Sequence, residues 1–269
     1  MEVITVANNK GGVGKTMQCF QIACHLANEG HRVLAIDLDS QANLSSTLGV
    51  QIQRTLIPEW LIGDVGIDDV TLPTEGKGDF YQNLFIVPSS RHLANLSKLL
   101  ILSDNDIRKN AGRKERLLKM RLKEIDGLFD YIVIDTPPVL GDEMIMALVA
   151  SDRILIPTQA QDFSIDGLEE LMDTFEIIKE TENPNLTFAI IPSMVDIRRK
   201  IERHRLAELG DSFDVTPVIR NLVEMQESIA LKRPIFMMGK NSKGAADYRS
   251  LWERLGLVKE IEKDTEANS

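Results

Sequence analysis

Apolar residues in this chain fall into short unbroken runs, each followed by a stretch where they recur at helical spacing. The run at 3–6 precedes a helical pattern from 16 to about 28, which leads into "HRVLAID" at 31–37. "NLFIVPS" at 83–89 precedes a helical stretch near 91–102, and "FDYIVIDTPP" at 129–138 precedes one near 143–150. "DRILIPT" at 152–158 leads to 165–179, and "LTFAIIPS" at 186–193 leads to a basic stretch near 198–209. A last run, "VTPVI" at 215–219, comes before helical patterns near 222–231 and 243–258.

A strand with one wet face alternates apolar and polar residues, whereas these runs are continuous. That is expected of a parallel sheet covered by helices on both faces. Strand then helix, repeated this often, predicts an α/β fold: a doubly wound, mostly parallel sheet with helices on both faces. Residues 50–82 break the rhythm with many Gly, Asp and Pro, and read as a surface insertion with a short helix. No repeat or linker divides the chain, so 1–269 reads as one domain ending in an acidic, flexible tail at 259–269.

Composition narrows the class. The 269 residues are 43% hydrophobic, 27% charged and 5% aromatic, which describes a globular protein with an aliphatic core. A formal net charge of −10 argues against a surface coated all over in nucleic acid, though not against a local basic patch. Cys19 and Cys24 lie five apart in one helical stretch, a spacing that suits neither a redox pair nor a zinc site, and they read as buried thiols. No basic leader opens the chain, and no apolar run approaches the roughly 18 residues of a membrane span, so a cytosolic protein is expected.

Against that acidic background, "VANNKGGVGKTMQ" at 6–18 places two lysines among three glycines, directly after the first apolar run. A strand, a glycine-rich turn and a helix N-terminus make an anion site by physics alone, because unpaired N–H groups and the helix dipole converge there. Gly11, Gly12 and Gly14 let those donors approach a phosphate chain, Lys15 reaches its outer oxygens, and the Thr16 hydroxyl is a natural Mg²⁺ ligand. The ordinary phosphate-loop pattern has glycine at position 9; here Asn9 stands beside the extra Lys10. "VLAIDLDSQANLS" ends its run with Asp37 and Asp39, and "YIVIDTPP" ends another with Asp135. Carboxylates at the C-terminal ends of parallel strands sit where such sheets bind ligands, and read here as metal-shell and water-orienting groups.

Together "KGGVGKT", "DLDSQANLS" and "IDTPP" resemble the ParA/Soj branch of the ParA–MinD deviant Walker A ATPases. The likeness covers most of the chain and is least clear at 50–82 and 100–115. It implies a deviant Walker A P-loop NTPase fold, an ATPase with slow basal turnover, ATP and Mg²⁺ as cofactors, and an ATP-dependent homodimer. It also implies sequence-independent DNA binding, a ParB-like or other cargo-adaptor protein that stimulates hydrolysis, and a cytoplasmic, nucleoid-associated place in a prokaryote.

Residue by residue, the resemblance puts Lys15 on the phosphates in cis and Lys10 on those of a second subunit. Gly11, Gly12, Val13, Gly14 and Met17 complete the loop, and Asp39 orients the attacking water. Thr16 binds Mg²⁺ directly, with Asp37 and Asp135 acting through waters. The adenine falls against Ser193-Met194 and Ile219-Arg220-Asn221. Met17 departs from the family's usual second threonine, "DSQAN" stands for "DPQGN", and "VIRNLVEM" lacks the family's second arginine.

Two basic clusters remain. "IRRKIERHR" at 197–205 aligns with a DNA-binding segment of ParA relatives, which assigns Arg198, Arg199, Lys200, Arg203 and Arg205 to DNA. The stretch at 108–123 reads equally well as a solvated helix face. The alternative, a MinD-like switch on a membrane surface, needs a basic amphipathic C-terminus. Here Glu253, Glu260, Glu262, Asp264 and Glu266 would be repelled by anionic lipid, so no membrane partner is expected. Metal-cluster relatives need cysteines beyond the second acidic motif, where this chain has none.

Overall fold

The structure, a computed structural model, describes residues 1–76, 78–103, 111–160, 165–239 and 241–258. The tail expected at 259–269 lies outside them. The strands are β1 (Glu2–Val6), β2 (Val33–Asp37), β3 (Leu72–Pro73), β4 (Leu84–Val87), β5 (Tyr131–Asp135), β6 (Arg153–Gln159) and β7 (Thr187–Ser193). They form one sheet in the order β3-β4-β2-β5-β1-β6-β7, parallel throughout except that β3 runs antiparallel to β4. The helices are α1 (Lys15–Asn28), α2 (Asn43–Thr47), α3 (Ile57–Ile62), α4 (Ile67–Val70), α5 (Leu96–Leu102) and α6 (Leu117–Glu124). Then come α7 (Asp142–Ala150), α8 (Ile165–Thr181), α9 (Lys200–Ser212), α10 (Val223–Ala230) and α11 (Lys243–Leu255).

The unbroken apolar runs have the cause expected of them. In β2, Val33 and Ala35 pack with Phe20, Ile22 and Leu26 of α1 on one face. Leu34 and Ile36 point the other way, into a core with Trp60, Leu96 and Leu118. Both faces are therefore buried, and a polar residue at any of these positions would lose about 1.5–3 kcal/mol of burial. α1 is enclosed further: every residue from Met17 to Ala27 is buried, between the sheet and the helices at the chain's end. α11 lays Tyr248, Leu251, Trp252 and Leu255 into that core, and Trp252 stacks on His25 at 3.7 Å. The apolar face of α11 is thus spent on the protein's own interior.

Two expectations are corrected. Residues 50–82 are not only a surface insertion with a short helix. They carry α3, α4 and the edge strand β3, and Ile57, Trp60 and Leu61 lie in the core at 0–1% exposure. "VTPVI" does not form an eighth strand. It makes isolated bridges, Ile190 to Val215 and Val195 to Arg220, because Pro217 lacks the N–H that a continuing ladder needs.

Candidate functional site

The central strands end level with one another. Val6 of β1 and Asp37 of β2 both pair in register with Asp135 of β5, so the chain leaves all three strands at one edge. From β1 the loop is pinned by Asn8, whose Nδ2 donates to the Pro157 carbonyl at 2.8 Å. Its Oδ1 accepts from the Lys10 N–H at 2.9 Å. Gly14 then caps α1 in the left-handed region at φ 96°, without a side-chain cap, so the first turn's N–H groups stay directed at whatever sits before them. A Cβ on Gly14 would stand 3.2 Å from Met194 Cε. The loop thus needs glycine for its backbone and for its neighbour.

Lys15 is 7% exposed, and its Nζ donates to the Lys10 carbonyl at 2.9 Å. Burial lowers its pKa, while the charges of Asp135 and Asp39 push the other way. The Thr16 hydroxyl donates to Asp135 Oδ2 at 2.7 Å. Asp37 accepts from the N–H and hydroxyl of Ser45 and from the Asp39 N–H. Asp39 Oδ1 accepts from the Gln41 N–H at 2.9 Å, which turns the loop so that its carboxyl borders the cleft. Burial raises the pKa of both Asp37 and Asp135; the charges of Asp37 and Asp39 raise that of Asp135 further, and the charge of Asp39 raises that of Asp37.

Asp135 Oδ1 is buried beside this hydroxyl and lysine, without a hydrogen-bond partner among the described residues. Two stacked carboxylates with an unused oxygen, and a threonine hydroxyl between them and the loop, are a donor set that suits a hard divalent cation. The residues present therefore fit Mg²⁺.

The cleft above this floor has a volume of about 750 Å³, enough for a nucleotide. Gly11, Gly12, Gly14, Lys15, Thr16, Met17 and Asp39 line one end, and Met194, Arg220 and Asn221 line the other. Of the residues assigned to the nucleotide in the sequence, six do not line it, among them Ser193, which is 0% exposed. Asp37 and Asp135 lie beneath the floor at 0% exposure, and Val13 is buried. Lys10 stands half-buried outside the cleft of its own chain. Ile219 corrects the expected base contact: it is 0% exposed in the core beneath α1 and offers no surface to a ligand. Arg220 borders the cleft, but its guanidinium is committed to Asp247 at 2.6–3.0 Å.

The sequence reading missed the far wall. Met225, Gln226, Ile229 and Ala230 of α10, with Lys232 after it, line that end. Their helical spacing reads as core, and nothing local marks them. Gln159 was within reach. It ends an apolar strand at the same edge, and its Nε2 donates to the Gly12 carbonyl at 2.7 Å, tying β6 to the loop.

The basic clusters lie elsewhere. Arg198 and Arg199 pair with Asp196, Arg199 also pairs with the buried Glu202, and Arg203 donates to the carbonyls of Ile197 and Arg198. Arg205 donates to the Ala160 carbonyl at 2.9 Å, and Lys200 is exposed at the start of α9. In the second cluster Arg108 and Lys109 lie outside the described residues. Arg113 and Arg116 pair with Glu182, Lys114 with Asp142 and Arg121 with Glu124. Arg113, Lys114 and Arg116 thus tie the turn before α6 to Glu182 and Asp142, while Arg121 pairs within α6 itself.

Comparison with known proteins agrees with this geometry. A family model described as "AAA domain" matches residues 1–188. The chain is 33% identical to the chromosome partitioning protein ParA of Myxococcus xanthus, over 94% of this chain and 87% of that protein. It is 31% identical to the sporulation initiation inhibitor protein Soj of Bacillus subtilis, over 97% of this chain and 98% of that protein. Among solved structures it is similar to cobyrinic acid a,c-diamide synthase from Mycobacterium smegmatis with bound ATP analog and magnesium. There the TM-score is 0.78 and the identity 29%, over 95% of this chain and 94% of that one. Among the described residues no helix is long and apolar enough to cross a membrane. With a family model over residues 1–188 and relatives 31–33% identical over nearly its full length, the chain belongs to the ParA/Soj branch of the ParA–MinD ATPases.

Proposed function

We propose that this protein is a partition or positioning ATPase. It binds Mg·ATP, closes as a homodimer over the nucleotide, and binds DNA without reading sequence. A ParB-like or other cargo-bound adaptor then discharges it by stimulating hydrolysis. The observation that carries this reading is the meeting of Lys15, Thr16 and Asp39 at one end of an open cleft long enough for a nucleotide. Water attacks the γ-phosphate and ADP and phosphate leave. Asp39 orients that water, and Lys15 holds the oxygens on which charge develops. Mg²⁺, held by Thr16 with Asp37 and Asp135 behind it, supplies neutralisation of the triphosphate's charge. The turnover is slow without the adaptor, as a timer requires.

Dimerisation has its own support in the cleft's rim. Val139 and Leu140 follow the lining residue Pro138 and are 64% and 42% exposed. Val223, which opens α10, and Leu231, which follows it, are 72% and 57% exposed. Large apolar side chains this exposed, on both sides of one opening, suit a surface that a second copy covers. Lys10, outside its own cleft, is the cation lent to that copy's phosphates. Lys10→Ala is accordingly expected to bind Mg·ATP within about threefold of wild type yet remain monomeric, as read by sedimentation. An ATP-dependent dimer in that variant would remove the lysine's role.

DNA binding is tested by titration with ATP, with ADP and without nucleotide, at two salt concentrations. ATP alone is expected to support binding. If each subunit neutralises about 4 phosphates, log K for the dimer falls with a slope of roughly −7 against log salt. Equal binding in ADP, or indifference to salt, would argue against a nucleotide-switched electrostatic surface at 198–205.

A further inference from the structure

α1 is enclosed on all sides, so each polar side chain it carries into the interior has to find a partner there. Gln21 is 0% exposed, and both ends of its amide are used. Nε2 donates to Ser228 Oγ at 2.7 Å, and Oε1 accepts from the Ile235 N–H at 2.8 Å. The Ser228 hydroxyl in turn donates to the Arg233 carbonyl at 2.5 Å. Because that hydroxyl's one hydrogen is spent on a carbonyl, it only accepts from Gln21, and the amide has a single satisfied orientation. One turn earlier Gln18 Nε2 donates to Ser193 Oγ at 3.1 Å, next to Met194 in the cleft wall.

These contacts join two parts of the cleft that lie some 200 residues apart in sequence, 207 for Gln21 and Ser228. Lys15 and Thr16 begin α1 at the phosphate end. Ser228 sits on the inner side of α10, whose Met225, Gln226 and Ile229 line the far end. Gln21 is six residues from Lys15 on one rigid helix, or roughly 9 Å along its axis. An apolar side chain of similar volume would fill the same space, but it would fix neither the depth nor the register of α10. The amide fixes both, since it has to meet Ser228 and Ile235 together.

We propose that Gln21 is a positioning residue for the nucleotide, which holds the α10 wall at a set distance from the phosphate loop so that base and triphosphate are gripped together. This rests on the reading that the cleft holds a nucleotide with its phosphates at Lys15. Binding of the phosphates alone does not depend on Gln21. Binding of the whole nucleotide does.

The test compares Gln21→Met and Ser228→Ala with wild type by calorimetry, using Mg·ATP and inorganic tripolyphosphate with Mg²⁺ as ligands. Each variant is expected to lose about tenfold in affinity for ATP and to keep tripolyphosphate affinity within about twofold. Ser228→Ala cuts the link from the other helix, so it carries the test alone if Gln21→Met does not fold. Equal weakening of both ligands would mean a general structural role and would overturn the proposal, as would unchanged ATP affinity. Wild-type protein that binds ATP but not tripolyphosphate would also overturn it, because the two ends would not be separable. Wild-type protein that binds neither would end the nucleotide reading itself.

Discussion

Asp39→Ala is expected to lower ATP hydrolysis by about 100- to 1,000-fold while ATP affinity stays within about threefold of wild type. The carboxyl borders the cleft at the loop's end, across from Lys15, and the substitution removes no donor that a phosphate would use. On the proposed function, what it removes is the acceptor that aligns a water for attack. Asp39 also accepts from the Gln41 N–H, so loss of activity in the alanine variant could come from a loosened turn. Asp39→Asn separates the two causes. Its amide oxygen keeps the bond to Gln41 but carries no charge with which to orient and polarise a water. Phosphate release should therefore fall in both variants, and sedimentation in Mg·ATP should show both as long-lived dimers. An asparagine variant hydrolysing at the wild-type rate would reduce Asp39 to a turn residue.

The two ends of the cleft were unequally legible in the sequence, for a physical reason. The phosphate end is built from β1, the loop and the first turn of α1, which are contiguous, so composition and spacing alone expose it. Asp37 and Asp135 were legible because a run that stops on an acid in a parallel sheet stops at the ligand edge, and register then brings the two together. The far end has no such continuity. α10 reaches it across the interior, where Gln21 meets Ser228, and Met225 and Ile229, four apart, look like any packed helix face.

Ile219 was misplaced by the same blindness. Alignment puts its neighbours on the cleft, but strand-like alternation at 218–220 turns its side chain inward. In the 50–82 stretch the signal was present and outweighed. Ile57, Trp60 and Leu61 have the spacing of a buried helix stripe, but Gly, Asp and Pro around them suggested a loop.

The charges show why sequence counts of cations mislead. Five basic residues at 198–205 look like a patch, yet Asp196 just before them and Glu202 among them pair with two of the five. On the proposed function, a monomer is expected to hold DNA only weakly, and doubling the surface by dimerisation is what would make the binding useful.

That dependence starts at Lys15. Lys15→Ala is expected to weaken Mg·ATP binding by at least about 100-fold, and with it to abolish both the ATP-dependent dimer and its DNA binding. The ammonium is almost wholly buried, held on the Lys10 carbonyl and flanked by Asp39 and Asp135, so a phosphate arriving at the loop meets a cation that has already been desolvated. Hydrogen bonds to charged groups contribute about 1.5–3 kcal/mol each, and two such bonds lost would account for the expected fall. Lys15→Arg should fare little better, because a wide, planar guanidinium would replace a compact ammonium at a side chain that is only 7% exposed. Thermal unfolding of the alanine variant without nucleotide should stay close to wild type, since the lost bond to Lys10 is offset by relief of a buried charge. A variant that melts normally and still binds Mg·ATP with wild-type affinity would place the phosphates somewhere other than this loop.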